Sequence, residues 1–266
     1  MQKSLQFKGK LLVYTVKGKG LPVILLHGFM EDHRIWDSVL TGIENKYRWI
    51  LPDLPGSGQS AFNESLRELK DFAGCITAII ENEGIPEFVL IGHSMGGYIS
   101  LAFTQENPAK IKALGLFHSS AYADSAERKE AREKNIRFIE KNGSSLFLEQ
   151  AIPGLFSENF KADHPDEIKT LIDRSANFIP ESLVQYLNAM RHRPPTTEVL
   201  VSITKPVLFI MGEGDKAVPL KDGLEQCHLP GISYIHVLTH SAHMGMIEES
   251  TLCNSILDRF LEQIPV

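Results

Sequence analysis

Apolar residues along this chain follow two rhythms. Short apolar runs that end in polar residues or glycine suit strands buried on both faces. YRWILPD, EFVLIGH, IKALGLFHSS and KPVLFIMGEGD are such runs, and ISYIHVLTH alternates more. The opening stretch SLQFKGKLLVYTVKGKGLPVILLHG reads as two hairpin-like strands followed by a buried strand, with Gly18 and Gly20 punctuating the second turn. Longer segments show the other rhythm. In NESLRELKDFAGCITAIIENEG, Leu66, Leu69, Phe72, Ala73, Ile76, Ile79 and Ile80 fall at helical spacing, with Gly84 just past the end. SMGGYISLAFTQENP predicts a helix that stops before Pro108, and MIEESTLCNSILDRFLEQI a single amphipathic closing helix. Strand alternating with helix predicts an α/β fold, a parallel sheet covered on both faces.

One segment departs from that alternation. Residues 121–197 hold no convincing strand and roughly three or four helices by periodicity. Charge is dense at first, in DSAERKEAREKNIRFIEKNG, and aromatic and aliphatic residues follow. Pro194 and Pro195 cannot continue a helix. The segment reads as a helical insertion between two core strands, with residues 1–120 and 198–266 forming the core.

Composition narrows the class. The 266 residues suffice for one large α/β domain or two small ones, and 43% hydrophobic content is ordinary for a globular chain. A net charge of -6 with no long Lys/Arg block argues against a nucleic-acid partner. Cys75, Cys227 and Cys253 are odd in number and widely spaced, which fits neither a disulfide framework nor a paired zinc pattern. They read as small buried residues of a reducing compartment. The N-terminus lacks a signal-peptide core, and the apolar run Leu21–Met30 is too short to span a bilayer. The expectation is a cytoplasmic protein without a membrane partner.

Candidate chemistry centres on EFVLIGHSMGGYIS. Gly92-x-Ser94-x-Gly96 after a buried strand and before a helix predicts a sharp turn that exposes the serine oxygen at the carboxyl edge of the sheet. The N–H groups of the helix that starts there lack intrahelical partners and suit a developing negative charge. A serine hydroxyl needs a base, and the base needs an orienting carboxylate. KPVLFIMGEGD ends in Asp215, with Glu213 and Asp124 as competitors. The next strand leads to His240 and His243, and periodicity does not choose between them. In LLHGFMEDHRIW, Gly28 permits a tight turn that aims the Phe29 N–H at the serine. Together with the Met95 N–H it would make a two-donor oxyanion hole, with His27 holding the loop.

These motifs, LLHGFMEDHRIW, LPDLPGSGQS, LIGHSMGGYIS, PVLFIMGEGDKAVP and HSAHMGMIEE, resemble the capped, esterase-like α/β-hydrolases from about residue 10 to the C-terminus. The resemblance implies a mostly parallel eight-stranded sheet flanked by helices, with residues 121–197 as a helical cap. It implies Ser94 as nucleophile, Asp215 as orienter, and His243 rather than His240 as base, because AHMGMIEE matches the pattern of a histidine before a Glu-bearing helix. It implies Phe29 and Met95 as oxyanion donors, a small-molecule ester, thioester or lactone as substrate, and no metal or other cofactor. Carbon–carbon bond hydrolysis, perhydrolysis and slow-turnover ligand sensing use the same framework. Serine at 94 disfavours the aspartate-nucleophile dehalogenases and epoxide hydrolases of this fold. Within the insertion, Phe147, Phe156, Phe178, Tyr186 and Met190 are the expected cleft-facing residues. Trp36 reads as a core anchor, Glu127–Lys134 as a solvated helix face, and the RHR cluster at 191–193 as a solvated helix end.

Overall fold

The computed structural model of the protein describes residues 1–265. Its strands are β1 (Gln2–Phe7), β2 (Lys10–Lys17), β3 (Pro22–Leu26), β4 (Arg48–Pro52), β5 (Phe88–His93), β6 (Ile111–Phe117), β7 (Val207–Gly212) and β8 (Ser233–Leu238). They form one eight-stranded sheet in the order β1-β2-β4-β3-β5-β6-β7-β8. The pairs β1–β2 and β2–β4 are antiparallel, and every later pair is parallel. Residues Val23 to Leu26 and Phe88 to Ile91 have no exposed surface, which is why their runs carry no polar alternation. β8 lies at the edge and keeps an alternating burial pattern, as its sequence does.

The second glycine turn does not close a hairpin. From β2 the chain crosses to β3, which lies between β4 and β5. A strand as apolar as Val23–Leu26 needs neighbours on both edges and cover on both faces, and only an interior position provides them. Gly18, at φ +66, makes the crossing possible. A Cβ there would fall 2.1 Å from the Tyr47 carbonyl oxygen.

The helices are α1 (Asp37–Leu40), α2 (Leu69–Glu83), α3 (Met95–Glu106), α4 (Ala126–Asn142), α5 (Ser144–Ala151), α6 (Glu158–Asp163), α7 (Pro165–Ser175), α8 (Pro180–Arg191), α9 (Thr197–Ser202), α10 (Leu220–Gln226), α11 (Gly245–Glu248) and α12 (Ser250–Leu261). They flank the sheet, with α2 packed on α3, and α1 on α11 and α12. Between β6 and β7 the described chain has no strand. Five helices, α4 to α8, occupy residues 126–191, more than periodicity predicts. Gly143, at φ +85, splits α4 from α5, and Pro165 starts α7 immediately after α6.

The closing helix also divides. Glu249, at φ −131 and ψ 48, separates α11 from α12. The carboxylates of Glu248 and Glu249 accept the N–H groups of His240, Ala242 and Met244, so the break tethers the loop that carries both candidate histidines. Among the described residues no helix is long and apolar enough to cross a membrane.

Trp36 is fully buried, edge-on to Phe117 with ring centroids 5.5 Å apart. It anchors the core and does not line an entrance. Its indole N–H has no partner. Trp36→Ala should therefore cost on the order of 3–5 kcal/mol in urea unfolding, and Trp36→Phe clearly less, because only packing is lost. Equal stability of wild type and the alanine variant would remove Trp36 from the core account.

Candidate active site

Because β3 to β8 run parallel, the residues that follow them collect at one edge: the His27–Phe29 turn after β3, Asp53 after β4, Ser94 after β5, His118 after β6, Asp215 after β7 and His243 after β8. In open α/β sheets ligands bind at that edge.

Ser94 occupies φ 49 and ψ −115, outside the regions that L-residues favour. Its surroundings enforce the turn. A Cβ on Gly92 would lie 2.2 Å from the Gly96 carbonyl group, and one on Gly96 would lie 2.5 Å from Leu26 O. Only glycine lets α3 start this close to β3 and β5. The Ser94 N–H donates to Phe117 O at 2.9 Å, and Ser119 Oγ donates to Ser94 O at 2.8 Å. The backbone is thus held while the hydroxyl faces a cavity.

Asp215 and His243 meet across 28 residues of chain, Nδ1 to Oδ2 at 2.7 Å. The other Asp215 oxygen accepts the Ala217 and Val218 N–H groups, both at 2.8 Å. His118 adds a third side of contact, its Nδ1 3.2 Å from Asp215 Oδ2. Burial would raise the Asp215 carboxyl, but the His243 charge and both imidazole hydrogen bonds hold it well below the usual carboxylate range. Burial would lower His243, and the charge and hydrogen bond of Asp215 reverse this, leaving it raised. His118 is pushed down to about 4, chiefly by burial. It is therefore neutral near pH 7, donating from Nδ1, while its Nε2 is buried without a partner.

The competing residues do not contact His243 or Ser94. Asp124 binds Arg132 Nε at 2.5 Å and Arg193 Nη1 at 2.7 Å. Glu213 and His240 are exposed. The His243 backbone is gripped on both sides, its N–H by Leu155 O at 2.9 Å and its carbonyl by His93 Nε2 at 3.0 Å. His93 Nδ1 lies 3.0 Å from Glu31 Oε2, and the same carboxylate oxygen accepts the Gly28 N–H at 2.7 Å. Burial pushes Glu31 up, and His93 with the Gly28 N–H outweighs that, so the carboxylate stays ionised. Glu31, His93 and His118 were not picked out from sequence. Their one sequence signal is a polar residue in or just after an apolar run on the carboxyl edge.

His27 Nε2 accepts the Leu54 N–H at 2.9 Å, and its Nδ1 lies 2.8 Å from Gly28 O, so the ring pins the turn. Neither the Phe29 nor the Met95 N–H donates to a protein acceptor among the described residues. Phe29, Met30, Ser94, Tyr98, Arg132, Leu155, Met190, Ala217, Val218 and His243 line a cavity of ≈ 90 Å³. Of the five expected cleft residues, Met190 lines it. Phe147 and Tyr186 pack on Phe29, with ring centroids at 6.2 and 6.4 Å. The Tyr186 hydroxyl is bound to Pro55 O and Ser57, so this ring braces the loop after β4. Phe156 stacks on Phe160. Phe178 lines a separate cavity of ≈ 320 Å³ with His33 and Asp53, which does not include Ser94.

Two further expectations change. Arg193 is only 8% exposed, its guanidinium 3.9 Å from the centroid of Tyr98, so this residue of the RHR cluster is not solvated, whereas His192 at the helix end is exposed. Arg128 and Arg132 turn inward from the charged α4, whose face is therefore not uniformly solvated. The groups His118–Asp215–His243 and Asp32–His33–Asp53 each place ligand-type atoms within 4.8 Å. Ligands ~2.1 Å from one tetrahedral ion stand roughly 3.4 Å apart. The 2.7 Å and 2.6 Å His–Asp contacts in these groups are hydrogen bonds.

A mostly parallel sheet with a strained serine at a sharp strand-to-helix elbow has the architecture of the α/β-hydrolase fold. The family model for the alpha/beta hydrolase fold matches residues 22–128. The pimeloyl-[acyl-carrier protein] methyl ester esterase of Legionella pneumophila is 25% identical over 261 residues, covering 92% of this chain and 97% of the relative. A thermophilic esterase from Thermogutta terrifontis superposes with a TM-score of 0.92 at 25% identity, covering 99% and 98% of the two chains. The enol-lactonase from Burkholderia xenovorans LB400 shares the fold, with a TM-score of 0.89 at 18% identity over 98% and 100% of the chains. The chain has the α/β-hydrolase fold, and these relatives, matched over nearly its whole length, are hydrolases by name.

The elbow makes a stability claim. Gly92→Ala forces a Cβ into backbone that cannot step aside, and should cost about 3 kcal/mol or more. Gly154→Ala, with open space around it, should stay within about 1 kcal/mol of wild type. Denaturant unfolding of the two variants checks this, and similar midpoints would contradict it.

Proposed function

We propose that the protein is a serine hydrolase that cleaves small carboxylic esters, thioesters or lactones through an acyl-enzyme. The observation that carries this is the junction of a strained Ser94 and a His243–Asp215 pair at one small, largely apolar cavity. In this reading His243 Nε2 takes the Ser94 proton as Oγ attacks the carbonyl carbon. Asp215 fixes the imidazole tautomer and stabilises the imidazolium. The partnerless N–H groups of Phe29 and Met95 receive the oxyanion. His243 returns the proton to the leaving group, then activates the water that releases the acid. The ester named for the Legionella relative and the esterase activity named for the Thermogutta one support the substrate class.

Ligand sites usually span about 300–1,000 Å³, so ≈ 90 Å³ beside Ser94 favours a short acyl group with the remainder directed outward. Residues 121–197 act in this reading as a cap. Leu155 and Met190 form part of the roof, and widening that roof should shift the preferred acyl length.

Ser94→Ala should leave the fold intact and reduce turnover of a short p-nitrophenyl ester on the order of 10³-fold or more, as should His243→Ala. His240→Ala should fall far less. Equal losses at the two histidines, or wild-type rates without Ser94, would overturn the assignment.

The base must be neutral to accept the proton, and its pKa is raised above the ordinary 6.5. Asp215 stays ionised throughout that range. Plotted against pH, kcat/KM should therefore rise through a midpoint above 6.5. Asp215→Asn should lower the midpoint along with the rate. A midpoint below the ordinary histidine value in wild type would contradict the pairing.

A further inference from the structure

We infer that the substrate carries a second, ionised carboxylate, and that Arg132 receives it at the Ser94 cavity. This deepens the hydrolase reading and rests on it. Arg132 reaches the cavity wall from α4 and lines it together with Ser94 and His243. Its side chain is 17% exposed.

The charges of its own cluster do not balance. Arg132 and Arg193 both bind the single buried carboxylate of Asp124. Burial pushes Asp124 up and the two guanidiniums bring it back below the usual range, so it carries one negative charge. Both arginines are permanently protonated, which leaves one positive charge over. The carboxylates nearest the site have partners of their own: Asp215 accepts from His243, His118 and the Ala217 and Val218 N–H groups, and Glu31 faces His93. Glu248 accepts the N–H groups of Ser157, Ala242 and Met244. Arg128 donates to Ala217 O and lies 3.6 Å from Asp222.

The excess charge is also available. Arg132 uses Nε and Nη2 on Asp124, and its Nη1 has no protein partner among the described residues. Arg193 donates to Asp124, Met190 O and Tyr122 O, its plane covers Tyr98, its Nε is buried without a partner, and it does not line the Ser94 cavity. It therefore holds Asp124 in position and leaves the open guanidinium edge to Arg132. The remaining wall is apolar, with Phe29, Met30, Leu155, Met190 and Val218. A guanidinium edge set in such a wall gains little from a neutral ester and forms charge-assisted hydrogen bonds with a carboxylate. A cavity of ≈ 90 Å³ keeps the spacer between that carboxylate and the reacting carbonyl short.

The test compares kcat/KM within two matched pairs, which separate the acyl side from the alcohol side. One pair is phenyl hydrogen succinate against phenyl butyrate, the other 4-carboxyphenyl acetate against phenyl acetate. In wild type the anionic member of one pair should be favoured about tenfold or more, as for hydrogen bonds to charged groups, chiefly through KM. Arg132→Met should remove that ratio, and Arg132→Lys, which keeps the charge, should retain part of it. Succinate should raise the melting temperature of wild type and not of Arg132→Met, a readout independent of turnover. No anionic preference in either pair, or a preference that survives in Arg132→Met, overturns the inference. If neutral esters are then still cleaved through Ser94, only the carboxylate site falls. If no ester of either charge is cleaved through Ser94, the hydrolase reading falls and takes this one with it.

Discussion

The close approach of α3 to the ends of β3 and β5 is the constraint on which the rest of the site depends. Gly92 and Gly96 leave no room for a Cβ, so the helix begins against the strands and the chain must turn at Ser94. A residue held in such a conformation costs about 1–3 kcal/mol and persists only where its neighbours over-determine it. Here Phe117 O, Ser119 Oγ and the Gly97 N–H do so from three directions. The same turn places the N-terminus of α3, with its free N–H groups, directly beside the hydroxyl.

A second principle is the matching of buried charge. Carboxylates at the sheet edge meet imidazoles or guanidiniums: Asp215 with His243, Glu31 with His93, Asp124 with Arg132 and Arg193. An unpaired charge in such surroundings is costly, so each pair is also a positioning device. Glu31 and His93 act on the His243 backbone, Asp215 on its ring. The loop after β8 is gripped further by Leu155 and by the carboxylates at the α11–α12 break. The segment between β6 and β7 is therefore joined to the His243 loop by direct hydrogen bonding.

Where a signal is local, it was legible. The all-apolar runs became interior strands because β-strands buried on both faces cannot alternate. The glycine spacing around Ser94 identified the turn because steric exclusion acts within five residues. Where the signal depended on partners, it misled. Gly18 and Gly20 marked the turn into the buried strand, but not its neighbours, which the burial of β3 decides. The closing helix broke because Glu248 and Glu249 bind a loop that approaches from outside it. The charged run of α4 and the RHR cluster read as solvated, yet Arg132 and Arg193 converge on Asp124.

The amino-acid order alone established an alternating α/β chain, a serine on a tight turn, and a short set of acids and histidines on the same edge. It could not choose among Asp124, Glu213 and Asp215, or between His240 and His243, by periodicity. In the packed chain Asp215 meets His243 across 28 residues and His118 across 97, contacts that no window along the chain contains. Nor could it tell that Met190 would line the serine cavity and Phe178 a different one, since both lie on apolar helical faces. Local sterics and burial write themselves into neighbouring residues. The pairing of charges and the allotment of side chains to cavities belong to surfaces that exist only once the chain has packed.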